Sequence, residues 1–578
     1  MKTSVTGKDA TLEQSIEHFQ TQLNKLGFNI EEVASFNPVP NVWLVQIRDV
    51  DAPMNTTQGK GTTQQAALAS ALGKFFECLS THAFYNDYYL GQALANSDVV
   101  HYSNEKWFDI GEDNLPPEGM LDERLTQYYD PTLELLGTDL VDLQSSNMDR
   151  GVCCLPFERQ FDNETVYIPA NIISNLYLSN GIAAGNTQAE ARTQCLSEVI
   201  ARAIKNRVIL KDISLPAIPT EVMARYPAIT ESIAALAAKG LTVTCYDASL
   251  GGEFPVLCAM LPIPGNDLCL AAFEAHPHFE VALERVVTEL LQNDTLIELG
   301  IYPQPVVKTN SQQNEQAAHT PNFSCVMVSG ELFKTDTSYD FVEWNFTGSS
   351  EESFSHLMAI MTKARADVYI ADYSHLGVNC CRIIVPSWSE IYPIETLIES
   401  NNNIALELRE TFLALPNVDW EGEQYAEMYG ILEEEGYDNS VLLAEIIGLA
   451  PQVGDAWQTL RIGEVKCLLA LAGGDLELAL ELADWCLEAN ATTYSPKRIQ
   501  FFHCLVASLN LALDDESDPA KAKADFEQQY GVETVAAAWG SIEGTVRFYD
   551  VTGGDLTMSQ YPAHQQLLES YQKLHIGQ

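Results

Sequence analysis

The chain has 578 residues, 46% of them hydrophobic, and its 80 Asp and Glu outnumber its 32 Lys and Arg, giving a formal net charge of −48 at pH 7. This length exceeds what one hydrophobic core serves, so we expect two or three domains, and the hydrophobic content excludes a disordered chain. The negative charge argues against direct binding of nucleic acid or of anionic membranes, because both require positive charge.

The thirteen cysteines are scattered along the chain, and none of them forms a CxxC pair. The adjacent pairs Cys153–Cys154 and Cys380–Cys381 have the spacing neither of zinc ligands nor of a simple disulfide, so the pattern predicts reduced thiols. The N-terminal stretch MKTSVTGKDATLEQS lacks the apolar centre of a signal peptide, and no apolar run of about 18 residues follows. We therefore expect a soluble cytoplasmic protein.

Up to about residue 395 the predicted helices and strands alternate, which favours an α/β body. The first helix is predicted at Leu12–Leu26, because Thr11 is a good N-cap and Gln14 follows three residues later. The strand NVWLVQIRD comes next, and GKG leads into the helix QQAALASALGKFFECLSTHAF. Further strands are predicted at VYIPANII, LTVTCYD, FVEWNF, DVYIADY and CCRIIVP, with helices at 188–207 and 279–292 and a polar linker at 301–325.

Beyond about residue 400 the strand signals stop. Two stretches, LRIGEVKCLLALAGGDLELALELADWCLEA and FFHCLVASLNLALDDESDPAKAKADFEQQYG, each predict two helices joined by a short polar turn. Their turns are about 40 residues apart, near the period of tetratricopeptide-like pairs. We predict an α/β domain at 1–395 followed by an all-α, tetratricopeptide-like domain at 396–578. The second domain binds proteins, mediates dimerisation, or simply packs as a cap on the first domain.

Three of the predicted helices carry a charged stripe opposite an apolar face. At about 100° per residue, the stripe of helix 188–207 contains Glu190, Gln194, Glu198, Ala201, Arg202 and Lys205. Helix 64–84 places Lys74 and Glu77 on one side, and helix 279–292 does the same with Arg285 and Glu289. The apolar surface of all three argues against simple solvation, and buried charges need partners. Either the helices pair through Glu–Arg contacts, or the carboxylates hold Mg²⁺ and the cations hold phosphates.

Five blocks of the sequence together resemble one known family. GKDATLEQSI, GKGTTQQAALASALGKFFECLS, SNGIAAGNTQAEARTQCLSEV, AHPHFEVALERVVTELLQ and CCRIIVP match the YcaO family in order and spacing, and the resemblance continues through the helical tail. It implies a YcaO-type ATP-binding domain that binds ATP with Mg²⁺, and family members that act on peptides use ATP to phosphorylate a backbone amide oxygen. The ending QQLLESYQKLHIGQ lacks the proline-rich C-terminus of azoline-forming members, which weighs against azoline synthesis.

The resemblance also implies a biological role and partners. It points to an accessory factor for β-methylthiolation of an aspartate in a small-subunit ribosomal protein. The implied partner is that ribosomal protein or its radical methylthiotransferase, which is RimO-like. Together with the helical tail, it leads us to expect a homodimer.

The residues of the implied site follow from the matching blocks. The resemblance implies nucleotide contacts for Lys8, Ser15, Glu77, Asn186, Glu190, Arg202 and Arg285. It implies metal-binding carboxylates for Glu77, Glu198 and Glu289, and it singles out no catalytic residue. These side-chain types suit the chemistry, since Mg²⁺ bridges phosphate oxygens and guanidinium groups neutralise the charge of the transferred phosphoryl group.

Two positions depart from the family pattern. The family's ExxE becomes KFFE, with Lys74 first, and its ExxER becomes EVIAR, with Ala201 at the second glutamate position, so two expected metal carboxylates are missing. In one interpretation the chain has lost productive ATP–Mg²⁺ binding and acts as a scaffold or partner protein. In another, Lys74 replaces one metal on the phosphates, leaving one Mg²⁺ on the three remaining glutamates. Alternatively, Lys74 pairs with Glu77 or Glu198 as a structural bridge. Enzymatic activity is therefore left open.

Three other motifs carry less information. His276 and His278 in AHPHF lack further ligands, so they indicate the start of a helix more than a metal pair. GKG is too short for a phosphate-binding GxxxxGK[ST] loop. The glycines of SNGIAAGN suit either a close approach to a ligand or a simple turn.

Overall fold

The computed structural model describes residues 3–263, 265, 267–291, 325–398, 400–514 and 519–575. The predicted linker at 301–325 lies outside these residues, apart from Cys325, which begins a strand. The strands are β1 (Ile30–Val39), β2 (Val42–Asp49), β3 (Thr56–Gly61), β4 (Lys106–Phe108), β5 (Val152–Arg159), β6 (Glu164–Pro169), β7 (Ile182–Gly185), β8 (Thr244–Asp247), β9 (Val256–Pro262), β10 (Leu268–Ala275), β11 (Cys325–Ser329), β12 (Tyr369–Tyr373) and β13 (Asn379–Ile384).

Helices lie between these strands and then make up the rest of the chain. The N-terminal part contains α1 (Leu12–Leu26), α2 (Gln64–Ser80), α3 (Gly91–Ala95), α4 (Glu123–Tyr129), α5 (Ala170–Ile172), α6 (Gln188–Leu210), α7 (Thr220–Met223), α8 (Pro227–Ala238), α9 (Phe279–Leu290) and α10 (Ser350–Lys363). The C-terminal part contains α11 (Arg409–Ala414), α12 (Gly422–Glu434), α13 (Leu443–Ile446), α14 (Ile462–Gly473), α15 (Leu476–Ala489), α16 (Pro496–Ala512), α17 (Pro519–Tyr530), α18 (Val532–Ile542) and α19 (Pro562–Gln572).

Within the described ranges the strands form three antiparallel sheets. The first has the order β1–β2–β3, the second β11–β10–β9–β8, and the third β4–β5–β12–β13–β7 with β6 paired to β5. Helix α6 packs between the second and third sheets, while α2 covers the other face of the third sheet and α9 the other face of the second. The neighbours Cys380 and Cys381 illustrate this layering: they point to opposite faces of β13, one towards α2 and the other towards α6.

Local sequence signals predict most of these elements. Helix α1 has the predicted bounds, and Thr11 and Gln14 form the expected capping box. The segment FVEWNF is not a strand, so that prediction is wrong. Its alternation belongs to an extended segment that lies against the start of α9, where Trp344 contacts Phe279 and the Asn345 side chain accepts a hydrogen bond from the Phe279 N–H. The predicted strand VYIPANII is shorter than expected, because β6 ends at Pro169 and α5 begins at the next residue.

Helices joined by turns and loops make up residues 400–514 and 519–575, where no strand occurs, although Leu442 and Arg461 form an isolated β-bridge. Both predicted helix–turn–helix pairs are present, as α14 with α15 and as α16 with α17. One hydrophobic cluster joins these helices to α1 and α2. Polar contacts also cross between the two parts, since Asn55 Nδ2 donates to Ser570 Oγ at 2.8 Å and His564 Nε2 lies 2.7 Å from the Tyr89 carbonyl. The core is therefore continuous across residue 395, and the boundary placed there stays a prediction.

All thirteen cysteines are free, and all except Cys78 are buried. None of the described helices combines the length and the apolar composition needed to cross a lipid bilayer.

Candidate nucleotide site

The site predicted from the charged helices lies at an open edge of the third sheet. Strand β7 forms this edge, and its Ala184 N–H donates to Glu77 Oε1 on α2 at 3.0 Å. Gly185 ends β7 directly beside the first turn of α6, so close that a Cβ on Gly185 would lie 2.5 Å from Ala191 N. Helix α9 contacts strand β3 of the first sheet, which itself lies on α2. This arrangement holds the charged faces of α2, α6 and α9 around one edge.

The first turn of α6 gathers four of the predicted nucleotide contacts. Glu190 Oε1 accepts from Lys8 Nζ at 2.9 Å, and its Oε2 accepts from Asn186 Nδ2 and from the Asp9 N–H, both at 2.9 Å. Ser15 Oγ donates to Asn186 Oδ1 at 2.7 Å. Burial alone would raise the pKa of Glu190, but Lys8 and these hydrogen bonds hold it below its ordinary value. The network keeps a buried carboxylate charged at the start of the helix.

Glu77 lies in a less favourable electrostatic environment. Burial, opposed by the Ala184 N–H and the charge of Lys74, raises the pKa of Glu77 to about 7, and the neighbouring charge of Glu198 adds to the rise. A carboxyl group with this pKa is only partly ionised near neutral pH, and no cation of the described residues forms an ion pair with it. A divalent cation beside it would favour the ionised form.

The predicted arginines lie on α6 and α9. Arg202 donates to Glu198 one turn earlier at 2.9 Å, while its buried Nε has no hydrogen-bond partner in the described part of the chain. Arg285 Nη2 donates to Gln194 Oε1 at 3.2 Å, and Lys8 Nζ approaches the same oxygen at 3.2 Å. Gln194 therefore links the phosphate-contacting arginine predicted on α9 to the lysine near the N-terminus.

Lys60 is a site residue that the sequence did not reveal. Its Nζ lies 3.0 Å from Glu274 Oε1 and forms an ion pair with Glu289, the carboxylate predicted to bind metal on α9. Burial lowers the pKa of Lys60 despite the attraction of Glu274, and the charges of Arg285 and Lys74 lower it further. The motif GKG is the available sequence signal, although it is too short for a phosphate-binding loop.

The three predicted metal ligands are not arranged as a ready-made metal site. Among the described residues, no three His, Cys, Asp or Glu side chains converge closely enough to hold an ion. Glu198 is paired with Arg202, and Glu289 with Lys60. The donor set nevertheless fits Mg²⁺ and a polyphosphate, because it offers carboxylate oxygens and several cations, one of them with a buried nitrogen left unpartnered.

Comparison with known proteins identifies the family. A family model described as a YcaO cyclodehydratase that binds ATP and Mg²⁺ matches residues 58–389, and one described as the YcaO cyclodehydratase C-terminal domain matches residues 405–578. The chain belongs to the YcaO family. It is 50% identical over 578 residues to the ribosomal protein S12 methylthiotransferase accessory factor YcaO of Escherichia coli (strain K12), covering 99% of this chain and 98% of that protein.

Two further YcaO-type similarities were found. An uncharacterized protein of Haemophilus influenzae is 47% identical over 576 residues, covering 99% of this chain and 98% of that protein. The structure of YcaO from Methanopyrus kandleri bound with AMPPCP and Mg²⁺ has 17% identity and a TM-score of 0.41, covering 65% of this chain and 90% of that one. The family model and the strand order together give a mixed α/β YcaO-type fold with antiparallel sheets and many helices.

The two departures from the YcaO pattern occupy different environments. Lys74 is exposed on α2, and within the described residues it makes no ion pair with Glu77 or Glu198, so it is not the structural bridge considered above. Ala201 is only 3% exposed and belongs to the apolar cluster around α6. A glutamate at position 201 would therefore replace a buried residue, whereas the lysine at position 74 is exposed.

The histidines of AHPHF mark the start of a helix, as predicted. His278 is the residue before α9, and its N–H donates to His276 Nδ1 at 3.0 Å.

Strand β13 contributes an arginine that the sequence did not single out. Arg382 lies opposite Ile182 of the edge strand β7 and is 2% exposed. Neither of its terminal nitrogens has a hydrogen-bond partner among the described residues. Burial lowers the pKa of Arg382, although Tyr373, Tyr102 and Glu198 act in the opposite direction. An arginine inside the otherwise apolar block CCRIIVP was the available signal.

Proposed function

We propose that this YcaO protein binds ATP with Mg²⁺ at the edge where α2, α6 and α9 meet, and that it serves as an accessory factor for β-methylthiolation of ribosomal protein S12. The observation that carries the proposal is the convergence of Lys8, Ser15, Asn186 and Glu190 at the first turn of α6. The biological role rests on the 50% identity, over nearly the whole chain, to the accessory factor of Escherichia coli.

In this proposal each group of side chains has a distinct task. Ser15, Asn186 and Glu190 position the nucleotide, and Lys8, Arg202 and Arg285 bind its phosphates, because ammonium and guanidinium groups form charge-assisted hydrogen bonds with phosphate oxygens. Glu77, Glu198 and Glu289 supply oxygen ligands to Mg²⁺. When bound, ATP would supply the phosphoryl group that activates an amide oxygen of the substrate.

A second candidate function is a scaffold without ATP turnover. It is favoured by the loss of two family carboxylates, one of which is replaced by the buried Ala201. In either case we propose that the C-terminal helix pairs form a tetratricopeptide-like surface for the ribosomal protein or its RimO-like methylthiotransferase, and that the protein acts as a homodimer in the cytoplasm. The free cysteines support a reducing compartment.

Calorimetric titration of the purified chain with ATP and Mg²⁺, followed by a phosphate-release assay, tests these alternatives. Saturable Mg²⁺-dependent binding supports the proposed site, and phosphate release supports activity. The double variant Lys74→Glu, Ala201→Glu restores the family pattern. If the native chain does not bind ATP and the double variant does, the proposal is wrong and the scaffold function is supported. Glu190→Gln is the matched loss variant, because it removes the charge that Lys8 contacts.

A further inference from the structure

The motif GKG fixes the position of Lys60, which lies between α2, α9 and the second sheet. A Cβ on Gly59 would overlap the backbone of Ala67 and Ala71, and one on Gly61 would lie 2.7 Å from Ala67 N. The two glycines therefore let β3 lie directly on α2. Because side chains alternate along a strand, Lys60 points away from α2, towards α9 and the second sheet.

Lys60 connects two carboxylates on different elements. Glu274 belongs to β10 and Glu289 to α9, and the Lys60 ammonium contacts both. Lys60 is 20% exposed and each glutamate 14% exposed, so the group borders on solvent but is largely enclosed. The charges of Arg285 and Lys74 also act on Lys60. Lys60, Arg285 and Lys74 thus bring three cations to this part of the site, and ammonium and guanidinium groups bind phosphate oxygens.

We propose that Lys60 holds Glu289 while the nucleotide site is empty and binds a phosphoryl oxygen of the nucleotide when the site is filled. This inference rests on the proposed function and assigns the phosphate-contacting role to Lys60 instead of Lys74. The geometry favours Lys60, because it already contacts a predicted metal ligand from a strand fixed on α2. Lys74 is exposed and forms no ion pair with Glu77 or Glu198 in the described residues.

The exchange couples metal binding to nucleotide binding. Glu289 must leave the Lys60 ammonium before its oxygens bind a metal ion, and a nucleotide phosphate offers that ammonium another anion. The nucleotide should therefore increase the affinity for the divalent ion, and the ion should increase the affinity for the nucleotide by the same factor.

The test is calorimetric titration of Lys60→Met, which removes the charge and keeps a long apolar side chain. Mn²⁺ is the metal probe, and a non-hydrolysable ATP analogue is the nucleotide probe. Without nucleotide, Mn²⁺ should bind Lys60→Met about tenfold more tightly than the native chain, because Glu289 is free. The analogue should bind about tenfold more weakly, and its coupling with Mn²⁺ should fall towards one. Lys60→Arg should restore the coupling.

Lys74→Met is the matched control, since it removes the same charge from the same site without removing a contact to Glu289. It should change both affinities less than about threefold. Glu274→Gln removes one of the two carboxylate partners of the Lys60 ammonium, so the ammonium pairs more strongly with Glu289. This variant should therefore weaken Mn²⁺ binding, a change opposite to that of Lys60→Met. Circular dichroism checks that each variant is folded. If Lys60→Met is not folded, Glu274→Gln provides the test.

Equal Mn²⁺ affinities for the native chain and Lys60→Met would overturn the inference, as would a larger loss of analogue binding in Lys74→Met than in Lys60→Met. If the native chain does not bind the analogue, the proposed function is wrong and the nucleotide half of the inference is overturned with it. The Mn²⁺ titrations still measure the hold of Lys60 on Glu289 in that case, so the two results are distinguishable.

Discussion

Two buried arginines in different regions of the molecule differ in whether they have an ion-pair partner among the described residues. In the helical part, Arg498 of α16 is 3% exposed and forms an ion pair with Glu464 of α14, which is fully buried and also accepts from Tyr494 Oη at 2.6 Å. On β13, next to the edge strand of the third sheet, Arg382 is 2% exposed and has no partner for either terminal nitrogen among the described residues. Burial lowers the pKa of both guanidinium groups, to about 10 for Arg498.

This difference distinguishes a buried charge that connects two helices from buried charges that are available to a ligand. The Arg498–Glu464 pair connects two helices in a closed interior, where each charge compensates for the lost hydration of the other. Next to the edge of the third sheet, two buried groups instead have no ion-pair partner in the described part of the chain: Arg382, and Glu77 with its raised pKa. Such groups destabilise an empty site, and they are expected where a charged ligand binds.

The largest effect is expected from Arg498→Met. It should lower the free energy of unfolding by about 3–5 kcal/mol, because Glu464 would keep its burial without a cation. Urea denaturation followed by circular dichroism measures the change. Lys497→Met, on the same helix as Arg498, is the control. It breaks a partly exposed ion pair with Asp550 and should lower the free energy of unfolding by less than about 0.5 kcal/mol. A loss under about 1 kcal/mol for Arg498→Met would show that the pair does not stabilise this region.

In the candidate site, Glu77→Gln should raise the free energy of unfolding, and the size of the increase should depend on pH. The ordinary pKa of 4.5 is raised to about 7 in the fold, so folding favours the protonated carboxyl and the native chain loses stability as pH rises between these values. The advantage of the variant should grow from near zero at pH 4.5 to at most about 3 kcal/mol at pH 8. Urea denaturation of the ligand-free chains at both pH values measures it. A constant difference would contradict the shifted pKa.

Much of the fold is predictable because its helices carry strong local signals. The capping box of Thr11 and Gln14 fixes the start of α1, and the apolar periodicity at 188–207 predicts the long helix α6. FVEWNF was misassigned because alternation also suits an extended segment without strand partners, and sequence alone does not show pairing. Helix boundaries were also easier to predict than the end of β6, where Pro169 leads directly into α5.

The candidate site was predictable only through the family resemblance, and then incompletely. The contact of Lys8 with Glu190 joins residues 182 positions apart, so no local pattern predicts it. Lys60 was missed because its partners lie on two other elements more than 200 residues away. Arg382 was missed because an arginine in a strand usually marks a solvated face, whereas here both faces of the sheet are covered.

A smaller effect is expected from Arg382→Met, which repeats the first substitution on the unpaired arginine. It should raise the free energy of unfolding by about 1–2 kcal/mol in the ligand-free chain, because a buried charge without a partner is replaced by an apolar side chain of similar length. The same urea titrations measure it. A decrease as large as that of Arg498→Met would mean that Arg382 is paired in solution and would remove the contrast between the two regions.

The smallest effect is expected from Lys74→Met. The exposed ammonium favours ionisation of Glu77, so its removal should raise the pKa of Glu77 by a further ~0.5 unit, the scale of a solvent-screened charge. Carboxyl chemical shifts of selectively labelled glutamate, with Glu77→Gln to assign the resonance, measure the change, and added salt should reduce it. Lys25→Met on α1 is the control for a remote exposed lysine. A much larger rise would indicate a direct ion pair, and Lys74 would then resemble the paired Arg498 more than an exposed, solvent-screened charge.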